Sequence, residues 1–350
     1  MAKKPTAVGC NIFAGGFTLG VRPYFRVLGH LESSNFGSAT AARNFPGLPI
    51  WNGAETWPAE MSVDFVYSNP PCAIWSTAGS NHGRNLDDPR LQMLYDGFSL
   101  LERFRPKVWV WESVTQAWTK GARVPRELIR EGERLGYKAT ALLEDAQHLG
   151  VPQRRKRLML FLSTVELEFP LDPESYPEPP TTREVLDQVE PDPSLQLRSG
   201  GYERELIKLA GPNDKLQQIY DRLNPEPELV QRGSRWVKKG RPGFQRTRLD
   251  PDGVAPAAVG GQLIHPTEDR HLAANEYAAL CGFPPGYEWA GKGAAGIADQ
   301  VCRGVCPPVG KFVAKHVARA LRRARPARAH RCFDLRTLPG DVWAFDLEDI

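Results

Sequence analysis

The chain of 350 residues is long enough for one large or two unequal domains, and its 41% hydrophobic and 25% charged residues are ordinary for a globular protein. The formal net charge is only +4, and no stretch approaches the roughly 20 continuous apolar residues of a membrane-spanning helix. The strand-like run that follows the first five residues is too short for a signal peptide. We therefore expect neither a membrane protein nor a secreted one.

Alternating short apolar runs and amphipathic helices across residues 7–162 predict an α/β fold, with a Rossmann-like, mostly parallel sheet and helices on both faces. The predicted strands are 7–13, 26–31, 63–67, 108–111 and 157–162. The predicted helices in this part of the chain are 90–104 and 124–135. Helical spacing returns at 273–280 and at 309–325.

The composition changes near residue 166. From Glu166 to Pro193 proline and acidic residues predominate, which is typical of a linker. We predict a first domain over 1–165, a linker with a small second domain over 166–250, a return to the first domain over 251–325, and a C-terminal tail over 326–350. The tail begins basic and ends acidic, and the sequence assigns it no role.

Six cysteines lie at positions 10, 72, 281, 302, 306 and 332. No paired Cys-x-x-Cys spacing occurs and no histidine cluster completes a zinc set, so we expect no metal site. Scattered cysteines in a chain of this size indicate free thiols in a reducing cytosol.

One stretch of the second domain is strongly basic. Between Gln231 and Arg248 there are seven basic residues and no acidic ones, with Trp236 and Phe244 interleaved. The basic residues are Arg232, Arg235, Lys238, Lys239, Arg241, Arg246 and Arg248. A polyanionic partner and a solvated basic loop both explain this pattern, and charge alone does not decide between them.

Four chemically distinctive features follow the ends of predicted strands, where a parallel sheet gathers its reactive groups. They are the Gly15-Gly16 turn, Glu32, Cys72 after a Pro-Pro pair, and Glu112. Each alone has a common structural explanation: an ordinary turn, a surface acid, a small buried residue and a salt-bridged acid. Together, a thiol, a carboxyl and a glycine loop suit nucleophilic addition to a ring assisted by protonation.

In six segments, taken in order from about residue 8 to residue 322, the sequence resembles the DNA (cytosine-5)-methyltransferases, which use S-adenosylmethionine. The segments are Asn11–Gly20 (NIFAGGFTLG), Asn69–Ser76 (NPPCAIWS), Trp111–Val114 (WESV), Gly150–Arg157 (GVPQRRKR), Ile264–Arg270 (IHPTEDR) with Gly282–Pro284 (GFP), and Gln300–Pro308 (QVCRGVCPP). Each segment alone is modest evidence. Six in the right order leave little room for coincidence.

The resemblance implies a mechanism on a cytosine flipped out of the duplex, because the ring atoms are unreachable in the base stack. Cys72 is then the nucleophile at C6, and Glu112 protonates N3. Arg157 holds the carbonyl oxygen of the base, and Arg155 supports the same loop. The implied donor contacts are Phe13, Gly15, Gly16, Glu32 on the ribose, and Asp64 or Ser68.

The resemblance also assigns a partner. The segment from Glu166 to about Arg246 falls where this family carries its target-recognition region, so the expected partner is double-stranded DNA, contacted by a monomer. The implied DNA contacts are Arg232, Arg235, Lys238, Lys239 and Arg241. The sequence leaves the biological role open among restriction protection, modification of phage DNA and regulation.

The sequence also departs from the family pattern. The first glycine loop is two residues short, Ala73 and Ser113 replace a glutamine and an asparagine, and Cys302-Arg303 stands where Gly-Asn is usual. Three interpretations remain open: a divergent methyltransferase, an inactive DNA-binding module of the same fold, or an enzyme for carboxy-S-adenosylmethionine that makes 5-carboxymethylcytosine. In the third, Arg303 grips the carboxylate of the donor, whereas its simplest alternative is that Arg303 pairs with a nearby acid.

Overall fold

A computed structural model describes residues 3–32, 35–53, 56–58, 60–75, 88–119, 123–169, 177–232, 235–243, 246–258 and 261–335. Ser76 of the second family segment, Phe244 of the basic stretch and the acidic end of the tail lie outside the described residues. The backbone of Arg232 and Arg235 is described, but their side chains are not.

Within the described part of the chain, a mixed sheet of eight strands forms the centre of the fold. Its strands are β1 (Thr6–Cys10), β2 (Arg26–Leu31), β3 (Ile50–Trp51), β4 (Phe65–Ser68), β5 (Val108–Ser113), β6 (Lys138–Asp145), β8 (Lys156–Ser163) and β14 (Arg331–Leu335). Their spatial order is β14-β6-β8-β5-β4-β1-β2-β3. All neighbours are parallel except β8, which runs antiparallel to β5 and β6.

Six shorter strands lie outside the sheet: β7 (Gln153–Arg154), β9 (Leu229–Arg232), β10 (Arg235–Lys238), β11 (Thr247–Arg248), β12 (Ala255–Pro256) and β13 (Leu263–Ile264). The helices are α1 (Gly16–Val21), α2 (Asn35–Asn44), α3 (Leu91–Phe104), α4 (Gln116–Thr119), α5 (Arg123–Arg134), α6 (Thr182–Leu186), α7 (Gly201–Leu209), α8 (Leu216–Leu223), α9 (Ala274–Leu280), α10 (Gly293–Arg303) and α11 (Pro307–Arg323). Among the described residues, no helix is both long and apolar enough to cross a bilayer.

Two apolar layers bury the faces of the sheet. Along β8, Met159 and Phe161 belong to the layer that contains residues of α1 and α11, whereas Leu158, Leu160 and Leu162 belong to the layer that contains residues of α3 and α5. This alternation is what a strand covered on both faces requires, because successive side chains point to opposite sides. The Rossmann-like α/β prediction is therefore confirmed.

Most predicted elements of the first domain are present within a few residues of their predicted bounds. The strand predicted at 26–31 has those bounds, and the helix predicted at 90–104 is α3. The first strand ends at Cys10 rather than at 13, because Asn11 and Phe13 have positive φ angles of 53° and 46°, which no strand accommodates.

Three strands of the sheet had no predicted counterpart: β3, β6 and β14. Strand β14 lies in the predicted tail and pairs with β6 at the edge of the sheet. Residues 331–335 of the predicted tail are therefore part of the central sheet.

A separate small apolar cluster lies in the second half of the chain. It joins α7 and α8 through Leu206, Ile207, Leu216 and Ile219, and it includes Ile264 of β13. An antiparallel ribbon of β9 and β10 packs near α8, where the Tyr220 hydroxyl donates to the carbonyl of Lys239. The division of the chain into a catalytic and a recognition domain stays a prediction.

Candidate active site

The turn after β1 brings backbone close to the second half of the chain. Gly15 has a φ of 77° in the left-handed region, which glycine adopts at little cost. A Cβ on Gly16 would overlap the carbonyl oxygen of Val305, so only glycine permits this approach. The Tyr287 hydroxyl donates to the carbonyl of Ala14 and closes the turn from the other side.

Glu32 sits beside this turn at the carboxyl end of β2. Its carboxylate is fully buried, and its Oε2 accepts the backbone N–H of Phe13 at 2.8 Å. The structure therefore brings together the predicted contacts Phe13, Gly15, Gly16 and Glu32. A buried acid at a strand end next to a glycine turn is the arrangement that holds the ribose of a nucleoside in sheets of this type, so these residues fit S-adenosylmethionine.

Cys72 is half-buried, directly beyond the carboxyl end of β4 and the Pro70-Pro71 pair. Burial raises the pKa of its thiol, the positive charge of Arg157 opposes that effect, and the negative charge of Glu112 adds to it. The thiol thus lies within electrostatic reach of both residues that the family resemblance placed beside it.

Glu112 is 2% exposed at the carboxyl end of β5. Its Oε1 pairs with Nε of Arg157 at 3.0 Å, and its Oε2 accepts from the amide of Asn69. Burial raises the pKa of Glu112, although the charge of Arg157 acts in the opposite direction. A carboxyl with a raised pKa is suited to carry a proton near neutral pH.

The direction of β8 explains how Arg157 reaches this site. Because β8 is antiparallel to β5, its first residues lie at the edge where β5 ends, and Glu112 pairs with Met159 in register. Arg155 precedes the strand and is 3% exposed. Its Nη2 donates to the carbonyl of Gly304 at 3.0 Å, so Arg155 ties this edge to the segment before α11.

Asp64 does not belong with the donor contacts, and this corrects the prediction. It precedes β4, and its carboxylate accepts from the backbone N–H of Thr6 at 2.9 Å and pairs with Lys107 at 3.2 Å. Thr6 and Lys107 mark the starts of β1 and β5, so Asp64 lies at the amino edge, opposite the site. Ser68 does lie at the carboxyl edge, but it is buried close to Gly97 of α3.

Arg303 ends α10 and is about half exposed. Its Nε pairs with Asp299 one helical turn earlier at 2.8 Å. This is the nearby-acid arrangement that the sequence left as an alternative to gripping a donor carboxylate.

The predicted DNA-contacting residues lie on and just after the β9–β10 ribbon. Lys238 and Arg241 both pair with Asp221, and Lys239 pairs with Glu228 at 2.8 Å. Trp236 of the same ribbon is 67% exposed. Arg232 and Arg235 are directly opposite each other in register.

Two polar residues of the site were missed by reasoning from the sequence. Asn69, which binds Glu112, was visible as part of the Asn-Pro-Pro-Cys segment but was assigned no role. Glu144, in β6 opposite Arg157, lies outside the six family segments, and no sequence signal pointed to it.

Comparison with known proteins gives a consistent result. A family model described as C-5 cytosine-specific DNA methylase matches residues 12–319. The type II methyltransferase M1.HphI of Haemophilus parahaemolyticus is 28% identical over 326 residues, which is 87% of this chain and 84% of that protein. The type II methyltransferase M.AgeI of Thalassovita gelatinovora is 38% identical over 104 residues, 29% of this chain and 24% of that protein.

Solved structures support the fold. A prophage-encoded DNA modification methyltransferase from E. coli superimposes with a TM-score of 0.65 at 21% identity, covering 91% of this chain and all of that one. The S. pombe Dnmt2 methyltransferase superimposes with a TM-score of 0.58 at 13% identity, covering 92% and 99%.

The match to the family model over most of the chain defines a DNA methyltransferase, of a class that uses S-adenosylmethionine. The chain belongs to the C-5 cytosine-specific DNA methylase family. It is therefore an enzyme that acts on DNA, as the sequence predicted.

Proposed function

We propose that this enzyme transfers a methyl group to C5 of a cytosine flipped out of double-stranded DNA, through a transient covalent bond between Cys72 and C6 of the base. The observation that supports this most is the grouping of a thiol, a buried carboxyl and a guanidinium at one edge of the sheet. The Glu112–Arg157 pair at 3.0 Å, within electrostatic reach of Cys72, forms its centre.

The Cys72 sulfur, as the thiolate, bonds to C6, and the electron pair of the C5–C6 double bond moves into the ring. Glu112 delivers a proton to N3, where negative charge develops, and C5 becomes nucleophilic. When C5 takes the methyl group, the bond between the methyl carbon and the donor sulfonium breaks and leaves a neutral thioether. Loss of the C5 proton to solvent, breakage of the C6–sulfur bond and return of the N3 proton to the Glu112 carboxylate then restore the aromatic ring and the Cys72 thiolate. Arg157 binds the carbonyl oxygen of the base and balances charge throughout.

S-adenosylmethionine, when bound, supplies the electrophilic methyl group. Phe13, Gly15, Gly16 and Glu32 would hold it, with the Glu32 carboxylate on the ribose hydroxyls. Ser68 lies at the same edge of the sheet as these four residues.

For DNA contact we assign the β9–β10 ribbon and the turn after it. Five basic residues lie on this ribbon and turn, and the three whose side chains are described share two acids, Asp221 and Glu228. This local concentration of basic residues favours a polyanion. The exposed indole of Trp236 adds an aromatic surface beside these charges. We further assign a monomeric enzyme that works on DNA inside the cell, and the type II names of its relatives favour protection against a restriction partner.

Carboxymethyl transfer remains the second candidate, and the Arg303–Asp299 ion pair weighs against it because the guanidinium already has an anionic partner. The catalytically inactive module is the third, and the intact set of Cys72, Glu112 and Arg157 weighs against it.

Mass spectrometry of nucleosides from DNA incubated with the purified enzyme separates these candidates. With equal amounts of S-adenosylmethionine and its carboxylated form, we expect 5-methylcytosine as the dominant product. Arg303→Asn should leave the ratio of the two products unchanged. A dominant 5-carboxymethylcytosine that Arg303→Asn abolishes would establish the second candidate, and unmodified DNA with both donors would establish the third.

A further inference from the structure

Glu144 is a buried acid in β6 whose side chain is 1% exposed. Among the residues that the structure describes, neither of its carboxyl oxygens has a hydrogen-bond partner. Leaving a buried polar group without a partner is destabilising, and more so when the group is charged. A group that costs stability in this way calls for an explanation outside folding.

The position of Glu144 in the sheet provides such an explanation. Glu144 is directly opposite Arg157 in the β6–β8 ladder, while Glu112 belongs to β5 on the other side of β8. In register, Glu112 aligns with Met159 and Glu144 with Arg157, and residues two apart on a strand face the same way. Glu112, Arg157 and Glu144 therefore share one face, with the guanidinium between two carboxyls.

Only one of the two carboxyls holds the guanidinium. The Nε of Arg157 donates to Glu112. Its Nη1 donates to the backbone carbonyl of the preceding residue, Lys156, at 2.8 Å. The strands that carry the two carboxyls, β5 and β6, are two strand spacings apart, about 10 Å, and a long side chain on the strand between them can reach either one.

Other charged and titratable groups around Glu144 are the thiol of Cys306, Asp145 and, across the sheet, Glu112. Asp145 is engaged elsewhere, since it accepts the backbone N–H of Arg155 at 2.8 Å and the side-chain amide of Gln147 at 2.9 Å. Burial and the neighbouring negative charges raise the pKa of Glu144 well above its usual range, and only Arg157 opposes them.

We propose that Glu144 is a positioning residue that takes over the guanidinium of Arg157 when Glu112 turns to the cytosine ring. This inference rests on the proposed function, in which Glu112 must carry a proton to N3. A protonated Glu112 no longer neutralises Arg157, and Glu144 supplies the replacement charge. One proton leaves Glu144 as one binds Glu112, so the total charge of the three groups is unchanged.

The test is kinetic and uses the full chain with Glu144→Gln, which keeps the shape but cannot ionise. We expect kcat to fall about tenfold with KM for DNA within about twofold, because the base still binds while the proton donor is disfavoured. Without Glu144, Arg157 holds Glu112 ionised, so the loss of kcat with rising pH should begin at a lower pH than in the unmodified enzyme.

Thermal unfolding separates this role from a structural one. Because the pKa of Glu144 is raised in the folded state, the folded protein loses stability relative to the unfolded chain as pH rises above the ordinary glutamate range. Glu144→Gln removes this loss, so it should increase Tm, and more at pH 8 than at pH 5. Glu276 is the matched control, since it is equally buried but paired with Arg270 at 2.6 Å, and Glu276→Gln should lower Tm.

An unchanged kcat and pH profile in Glu144→Gln, or a Tm that falls as in Glu276→Gln, would overturn the inference. Glu144→Asp is the conservative variant and should recover part of kcat. Failure of the proposed function would look different, since then the unmodified enzyme itself would form no methylcytosine.

Discussion

The reactivity of Cys72 depends on the balance of a few charges. Burial and Glu112 act against the thiolate, and Arg157 acts for it. The same guanidinium is bonded to Glu112, so one side chain influences both the proposed nucleophile and the proposed proton donor. In the proposed mechanism Arg157 therefore tunes these two groups as well as binding the base.

Removing that guanidinium should make the thiol harder to ionise. In Arg157→Gln we expect the pKa of Cys72 to rise, because the largest opposing positive charge is lost. The pH dependence of alkylation of Cys72 by iodoacetamide, followed by peptide mass spectrometry, measures this directly. Arg105→Gln, at a surface position after α3, should leave the pKa unchanged, and an unchanged value in Arg157→Gln would contradict the assigned role.

At the scale of elements, the packing of α1 against α11 fixes the donor-side turn. Gly20 of α1 meets the backbone of Gly310 and Lys311 in α11, and Gly310 in turn lies close to the backbone of Phe17. The two helices approach this closely because glycine lines the contact on both sides, and α1 begins directly after the Gly15 turn.

A methyl group at this contact should therefore be costly. Gly20→Ala would drive Cβ into the α11 backbone, and we expect a loss of about 1–3 kcal/mol in the free energy of unfolding despite the better helix propensity of alanine. Gly296→Ala in α10 is the control, because nothing lies within 4 Å of its Cβ position. It should be neutral or stabilising by up to about 1 kcal/mol. Urea unfolding compares the two, and equal stabilities would refute the close-packing argument.

Local patterns predicted many of these elements, and long-range pairing produced the exceptions. A local apolar run predicts the strand at 26–31, and helical spacing of apolar residues predicts α3, without reference to any other part of the chain. Strand β14 exists because β6 offers an edge nearly 200 residues earlier, which no local pattern reveals. The antiparallel direction of β8 is likewise a property of the assembled sheet.

The candidate site shows the same contrast between what local patterns predict and what long-range pairing produces. Cys72, Glu112 and Arg157 were predicted because they lie in short segments that resemble a family, and Glu32 because it ends a strand. Asp64 was wrongly assigned to the donor site. It precedes β4, so the direction of the chain alone places it at the amino edge of the sheet. Glu144 was invisible, because only the register of β6 against β8 brings it opposite Arg157.

At the scale of the whole molecule, the proposed catalytic and donor-binding residues lie at one edge of the sheet. Strands β2, β4 and β5 end there with Glu32, the Cys72 turn and Glu112, and β8 begins there with Arg157. The amino edge carries ordinary structural pairs such as Asp64 with Lys107. An enzyme that transfers a methyl group from a nucleoside-like donor to a DNA base needs both binding sites at one edge, and this topology provides it.

The central claim is a covalent bond between Cys72 and C6 of the target base. DNA containing 5-fluorocytosine tests it, because fluorine at C5 cannot leave as a proton does and the adduct persists. With S-adenosylmethionine present, the unmodified enzyme should form a denaturation-resistant complex whose peptide map places the DNA on Cys72. Cys72→Ser should form none, while the control Cys332→Ser, half-buried in β14, should still form it. An adduct that persists in Cys72→Ser, or methylation of cytosine without any adduct, would contradict the account.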